Sequence, residues 1–150
     1  QPRRIVQLAT IEQLSELGIT VICCGGGGIP VSTGADGEIV GREAVIDKDR
    51  VSMLLAVHLG AQRLVITTSV DRVHTGFYTD HPEPIDELTS DEAARFLAGG
   101  EFPPGSMGPK IEAAVDYLAA IDGEVIICHP DALVDAIDGR AGTHIVRSTT

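Results

Sequence analysis

The sequence predicts an α/β fold, a three-layer α/β/α sandwich whose sheet is mostly parallel. Two observations support this class. Short β-branched apolar runs alternate with longer segments whose apolar residues recur at helical spacing. Such alternation is typical of right-handed crossovers and of a parallel sheet covered by helices. The 150 residues fit one domain with a sizeable core, and no interior linker divides them, so a single lobe over 1–150 is expected.

The first part of the chain carries clear helix boundaries. Thr10 and Gln13 are spaced as a capping box, and Gly18 is a typical C-terminal stop. Asp47 is placed to cap a second helix, which Gly60 closes. In order, the predicted elements are a helix at 10–17, a strand at 19–24 buried on both faces, a hairpin of 29–31 and 38–40, a helix at 48–59 and a strand at 63–68.

The remainder is predicted from similar signals. Thr89 and Glu92 form a second capping-box pattern, and Pro109 is expected at the first position of a helix. The segment between the second and third strands is rich in turn formers and is predicted to be a long loop, in which solvent exposure of His74 and His81 is favoured over contact with a ligand. In order, the predicted elements are a loop at 69–88, a helix ending at 99–100, a stiff loop at 102–109, a helix to about 120, a strand at 124–128, a helix at 131–137 and a strand at 143–146.

Composition excludes several classes of function. A formal net charge of −11 and a pI near 4.7 argue against nucleic acid and anionic membranes as partners. The apolar runs are too short to span a bilayer, and no secretory signal is visible. The three cysteines lack metal-site spacing and are expected to be reduced thiols in a cytoplasmic protein, with no metal held by protein ligands alone.

The glycine run Gly25–Gly28, directly after the predicted first strand, is the first candidate site. Glycines allow the backbone to turn sharply and to bring several N–H groups against an oxyanion. A tight turn alone would need only one or two glycines, so four in a row favour anion binding. The run is neither a Walker A loop nor a GxGxxG fingerprint.

Two lysines at predicted helix starts form the second signal. Lys48 lies between Asp47 and Asp49, and Lys110 follows the small residues of 105–109. A helix N-terminus disfavours a cation by roughly 0.3–1 kcal/mol, so stability alone does not explain either lysine. An exposed local pair of Lys48 with its aspartates is the simpler alternative. An anion bound between the helix starts accounts for both lysines and indicates phosphoryl transfer by electrostatic stabilisation.

These segments resemble the carbamate kinase branch of the amino acid kinase superfamily. The resemblance runs in order through four motifs and covers essentially the whole chain. They are Cys23-Cys24-Gly25-Gly26-Gly27-Gly28-Ile29-Pro30-Val31, Glu43-Ala44-Val45-Ile46-Asp47-Lys48-Asp49, Gly105-Ser106-Met107-Gly108-Pro109-Lys110 and Gly139-Arg140-Ala141-Gly142-Thr143.

The resemblance implies an amino acid kinase-like fold and reversible phosphoryl transfer between ATP and carbamate, giving ADP and carbamoyl phosphate with Mg²⁺, within arginine metabolism. It assigns Lys48 and Lys110 to stabilisation of the transferring phosphoryl group and Asp49 to the orientation of Lys48. It assigns Gly25, Gly26, Gly27 and Gly28 to carbamate or phosphate. The implied nucleotide-binding residues are Thr68, Ser69, Val70, Asp71, Val73, Gly105, Ser106, Met107 and Gly108.

Two departures from the family pattern shape the expectations. The N-terminal half of the family, with its carbamate-contacting residues and much of the dimer surface, is expected to be missing, because Gln1-Pro2-Arg3-Arg4 resembles a mid-chain linker. A homodimer through that half, or a complementing chain, is the expected partner. After Val73 the family usually has an aromatic residue and then an Asn, where this chain has His74-Thr75-Gly76. The alternatives are a nucleotide-binding or regulatory module without catalysis, and a relative acting on glutamate, aspartate or UMP.

Overall fold

The computed structural model describes residues 1–148. They divide into two compact units, the first spanning Gln1–Leu55 and the second beginning at Ala56. The assignment of the whole chain to one lobe stays a prediction. Within residues 1–148, no helix is both long and apolar enough to cross a membrane.

The first unit contains one helix, one hairpin and the start of a second helix. The predicted hairpin is present, although its first strand begins two residues later than expected: its strands are antiparallel, and Gly34 N donates to Glu38 O at 2.8 Å to close the turn. The elements are α1 (Leu8–Glu16), β1 (Val31–Thr33), β2 (Ile39–Gly41) and α2 (Lys48–His58), whose last turn belongs to the second unit.

Two predictions for this unit are wrong. Helix α1 begins at Leu8, so Thr10 lies inside the helix and no side chain caps its start. The segment 19–24 forms no strand, and Ile22 is fully exposed. A strand needs a neighbour for its backbone N–H and C=O groups, and within residues 1–148 no strand pairs with this segment. An apolar run is therefore not enough to predict a buried strand, because the strand also needs a pairing partner.

The second unit is built on a four-stranded sheet in the order β3-β7-β8-β6. Two of its three strand pairs are parallel, and β7 and β8 are antiparallel. The expectation of a mostly parallel sheet flanked by helices is thus confirmed. The elements are β3 (Arg63–Thr67), β4 (Val73–Thr75), β5 (Glu83–Ile85), β6 (Glu87–Thr89), α3 (Ser90–Ala98), α4 (Met107–Ala120), β7 (Glu124–Cys128), α5 (Leu133–Ile137) and β8 (Thr143–Val146).

Strand β7 forms the centre of this core. Its residues from Val125 to Cys128 have no solvent exposure, and both α4 and α5 pack against the strand. Ile126 and Cys128 contact Ala136 of α5, while alternate residues project to the other face of the sheet. Burying each large aliphatic side chain contributes roughly 1.5–3 kcal/mol, so these residues dominate the stability of the unit. Burial also raises the pKa of the Cys128 thiol.

Three predictions for the second unit need correction. The segment 69–88 is not one loop, since β4 and β5 form a small antiparallel hairpin there and β6 joins the main sheet. Helix α4 begins at Met107, so Pro109 is its third residue. The helix predicted at 131–137 is divided into a 3-10 turn, Pro130–Ala132, and α5. Proline lacks an N–H, but the first turn of a helix does not need that donor, so Pro109 permits a start at several neighbouring positions.

Candidate functional site

The glycine run of the first unit is a compact turn with an unusual backbone. Cys24, Gly25, Gly27 and Gly28 all have positive φ, and the N–H of Gly27 donates to the carbonyl of Cys24 at 2.9 Å. Gly27 has a φ of 135° and is buried, and a Cβ there would overlap the carbonyl oxygen of Ile46. Only glycine therefore allows the turn to lie directly against the segment that leads into α2. A cavity of about 680 Å³ opens beside Gly25, Gly26 and Gly28.

The start of α2 lies at the end of that same segment. Asp47 caps the helix as predicted, because its Oδ1 accepts hydrogen bonds from the N–H groups of Asp49 and Arg50, both at 3.0 Å. The ammonium of Lys48 lies 3.6 Å from Oδ2 of Asp49. The Lys48 side chain is 57% exposed and that of Asp49 only 7%. A nearly buried carboxylate thus lies close to an accessible cation at the helix start.

The first unit therefore brings two of the predicted features together. The contact of Gly27 with the backbone at Ile46 places the glycine turn next to the helix start that carries Lys48. Backbone N–H groups, the positive end of a helix and an accessible ammonium are all groups that stabilise an anion. The arrangement is suited to a phosphate or carboxylate-like group.

The second unit contains the predicted nucleotide-side residues. Thr68 continues β3 by donating its N–H to the carbonyl of Cys128 at 2.9 Å. The next four residues, 69–72, form bends, and a cavity of about 360 Å³ lies beside them. The cavity is lined by Ser69, Val70, Asp71, Arg72, His74 and Pro84. Three of the residues predicted from the sequence thus share one cavity.

The buried residue Thr143 holds the β4–β5 hairpin in place. The Thr143 hydroxyl accepts a hydrogen bond from Val73 N at 2.8 Å and donates one to Ile85 O at 2.6 Å. These bonds tie the first strand of the β4–β5 hairpin to its second strand and to the start of β8. Val73 itself is fully buried.

The third motif forms the start of α4. Gly108 N donates to Pro103 O at 2.9 Å, and a Cβ on Gly108 would lie 3.1 Å from that oxygen, so a small residue is required for this close approach. Ser106 is the residue before the helix, but its side chain makes no capping hydrogen bond. Lys110 lies one turn in and is only 6% exposed. Lys110 lies in the second unit, and Lys48 lies in the first.

Sequence analysis missed three contributors to these sites. Arg72 and His74 line the same cavity as Asp71, and Thr143 fixes the hairpin beneath them. The alternation of apolar Val73 with polar His74 was a usable signal for a strand, which would have placed His74 on the face opposite the core. Thr143 ends one of the four motifs, but the motif did not reveal its structural role, because its hydrogen-bond partners lie about 60–70 residues away in sequence.

Known proteins match this chain over most of its length. A model of the amino acid kinase family matches residues 1–129. The chain is 43% identical over 146 residues to a carbamate kinase from Halobacterium salinarum, covering 97% of this chain and 47% of the relative. It is 45% identical over 145 residues to a carbamate kinase from Staphylococcus haemolyticus, covering 96% and 47%.

The fold of this chain also matches a solved carbamate kinase structure. Carbamate kinase from Giardia lamblia bound to AMP-PNP superimposes with a TM-score of 0.95 at 34% identity, covering 99% of this chain and 52% of that one. The chain spans about half the length of the curated relatives that it matches. The resemblance inferred from the four motifs is confirmed. Since the family model covers most of the sequence and the fold agrees, this chain belongs to the amino acid kinase family, and carbamate kinases are among its relatives.

Proposed function

We propose that this chain forms the nucleotide-binding half of a phosphotransferase that transfers a phosphoryl group reversibly between ATP and carbamate, giving ADP and carbamoyl phosphate. The observation that carries the proposal is the pairing of the glycine turn with the start of α2, where buried Asp49 lies 3.6 Å from the Lys48 ammonium. The name and AMP-PNP complex of the Giardia relative support the choice of substrates.

The proposed chemistry is electrostatic. The transferring phosphoryl group spreads negative charge over its oxygens, and catalysis consists mainly of positioning and of stabilising that charge. Lys48 supplies the accessible cation, and Asp49 limits the directions in which it can point. Within Gly25–Gly28, the N–H groups of Gly26 and Gly28 are proposed to face the phosphate or carbamate, because those of Gly25 and Gly27 donate to the carbonyls of Cys23 and Cys24. Lys110, at the start of α4 behind Gly105–Gly108, is proposed to act on the phosphoryl group from the nucleotide side.

Mg²⁺ is proposed to enter with the nucleotide. This ion typically binds through substrate phosphates with one or two carboxylates, and keeps several waters. Within residues 1–148, no cluster of three histidine, cysteine or acidic side chains is arranged to hold a metal. The proposal therefore assigns the ion to the phosphates, where it would neutralise charge, and assigns no metal cage to the protein.

The test is a coupled assay that detects ATP formed from ADP and carbamoyl phosphate. Because the chain spans about half of its relatives, the assay compares residues 1–150 alone with the chain joined to a polypeptide that supplies the other half. We expect turnover in the joined form and little from residues 1–150 alone. Absence of turnover in the joined form would refute the kinase assignment, and full turnover by the isolated chain would refute the proposed division of the site.

Replacing Lys48 tests the proposed mechanism within the joined form. Lys48→Ala is expected to lower turnover by about 10²–10³-fold, the usual cost of removing one preorganised charge-stabilising group. Its effect on unfolding free energy should stay within about 0.5 kcal/mol, since the side chain is mostly exposed. Arg42→Ala, which removes another exposed cation of the same unit, is the matched control and should retain turnover. Equal loss in both variants would contradict a specific role for Lys48.

A nucleotide-binding module without catalysis is the second candidate. It is favoured by His74-Thr75-Gly76, which follow Val73 where the family pattern has an aromatic residue and then an Asn. Calorimetry with MgADP separates the two functions: binding without turnover in the joined form supports the module. Absence of MgADP binding would count against both.

A further inference from the structure

His74 lines the cavity of about 360 Å³ that lies beside Ser69 and Asp71. It is the middle residue of β4 and pairs with Pro84 of β5 across the hairpin. Successive strand residues project to opposite faces, and the preceding residue, Val73, is fully buried. His74 is half-buried and lines the cavity together with Ser69 and Asp71.

A local hydrogen bond determines which ring nitrogen of His74 is left for a ligand. Nδ1 lies 3.0 Å from the carbonyl oxygen of Arg72. A carbonyl oxygen only accepts hydrogen bonds, so Nδ1 must carry the hydrogen. In the neutral imidazole the other nitrogen, Nε2, is then a bare acceptor. The hairpin backbone thus sets the ring tautomer.

The charged and polar groups around the cavity also favour a ligand group that donates a hydrogen bond. Arg72 is paired with Asp86, with its Nε 2.5 Å from Oδ1, so that carboxylate offsets its positive charge. Asp71 contributes a carboxylate to the cavity lining, and Ser69 a hydroxyl. The lining therefore offers acceptors at Asp71, Ser69 and His74 beside the Arg72 guanidinium. These acceptors can pair with the amino and hydroxyl groups of a nucleoside.

We propose that Nε2 of His74 accepts a hydrogen bond from the exocyclic amino group of the nucleobase and so selects adenine over 6-oxo purines. This inference rests on the proposed function, because it requires a nucleotide in this unit. It adds a specificity-determining residue at the position where the sequence departs from its family. A 6-oxo base would present a second acceptor to Nε2, leaving both groups unpaired.

The experiment measures binding of ADP and of inosine 5′-diphosphate, whose base has a 6-oxo group, to residues 1–150 by calorimetry in the presence of Mg²⁺. The wild-type chain should bind ADP about 3- to 10-fold more tightly, the effect of one net hydrogen bond. His74→Phe keeps a flat ring but removes the acceptor, and it should abolish this preference. His81→Phe makes the same change at an exposed histidine and should leave the preference intact.

The outcomes separate the inference from the proposed function. If His74→Phe binds ADP with the wild-type preference, the inference is wrong and the proposed function stands. If the wild-type chain binds neither nucleotide, both are refuted. Should His74→Phe fail to fold, ¹⁵N NMR of the wild-type histidines replaces it: the His74 Nε2 resonance should shift with saturating ADP and not with inosine diphosphate. The absence of an ADP-specific shift would overturn the inference.

Discussion

At the scale of single residues, the candidate site depends on positions where only one side chain fits. Gly27 combines a φ of 135° with a backbone oxygen where its Cβ would lie. Asp49 is nearly buried and lies next to Lys48, so its carboxylate has the ammonium as a close neighbour at 3.6 Å. The motifs identified these residues, but the reasons for their identity are steric and electrostatic contacts.

The glycine turn gives a prediction with an internal control. Gly27→Ala should lower the unfolding free energy of the chain by about 2–4 kcal/mol, since a positive φ and a steric overlap act together. Gly26→Ala meets no atom within 4 Å and should cost less than about 1 kcal/mol. Urea unfolding measures both variants. Similar costs for the two would show that the contact with Ile46 does not constrain the turn.

At the scale of elements, local signals explain where α2 and α3 begin and where most helices end. Thr89 and Glu92 form a complete capping box at α3, with Thr89 N donating to Glu92 Oε2 at 2.9 Å. Hydrogen bonds from the Thr89 backbone and hydroxyl lower the pKa of Glu92. The equivalent pattern at Thr10 forms no box, because α1 begins before it. A capping motif defines a helix start only where the preceding residues do not continue the helix.

The α3 cap can be tested by removing the hydroxyl. Thr89→Ala should lower the unfolding free energy by about 1 kcal/mol, the typical cost of losing an N-terminal cap. Thr89→Ser keeps the hydroxyl and should recover most of the loss. Thermal and urea unfolding followed by circular dichroism measure the three proteins. A fully stable Thr89→Ala variant would mean that packing of α3 against α4 alone holds this helix start.

At the scale of the second unit, Glu124 connects three strands at one end of the sheet. Its carboxylate accepts a hydrogen bond from Arg63 Nε of β3 at 2.7 Å and lies 2.6 Å from His144 Nδ1 of β8. Burial acts to raise the pKa of Glu124, but the hydrogen bonds with His144 and Arg63 outweigh it, and the pKa lies below its usual value. The ionised form therefore stabilises the fold.

The sign of the pH effect follows from that shift. A carboxyl group with a depressed folded pKa contributes stability above its unfolded pKa of about 4.3, and the contribution disappears as the pH falls through the folded pKa. Glu124→Gln should cost about 1–2 kcal/mol near neutral pH, and less at about pH 3. Urea unfolding at both pH values measures the difference. A penalty that is unchanged at the lower pH would indicate that packing, not charge, makes Glu124 favourable.

Candidate site residues could be predicted from the sequence where one short motif contains both the group that would face a ligand and the residues that hold this group in place. The cap at Asp47 followed by Lys48 and Asp49 is such a case, and so is the turn at Gly25–Gly28. His74 was not predictable in the same way. Its environment depends on the pairing of β4 with β5 and on Thr143, which lies about 70 residues from Val73.

By itself, the sequence determined the α/β class, the starts of α2 and α3, most helix ends and the family, because caps, glycine stops and apolar periodicity act over a few residues. Tertiary structure alone decided which strands pair. It made β8 antiparallel to β7, formed a hairpin from a segment predicted to be a loop, and left 19–24 outside any strand within residues 1–148. Strand pairing joins backbone groups that are distant in sequence, so an apolar run does not contain the identity of its partner.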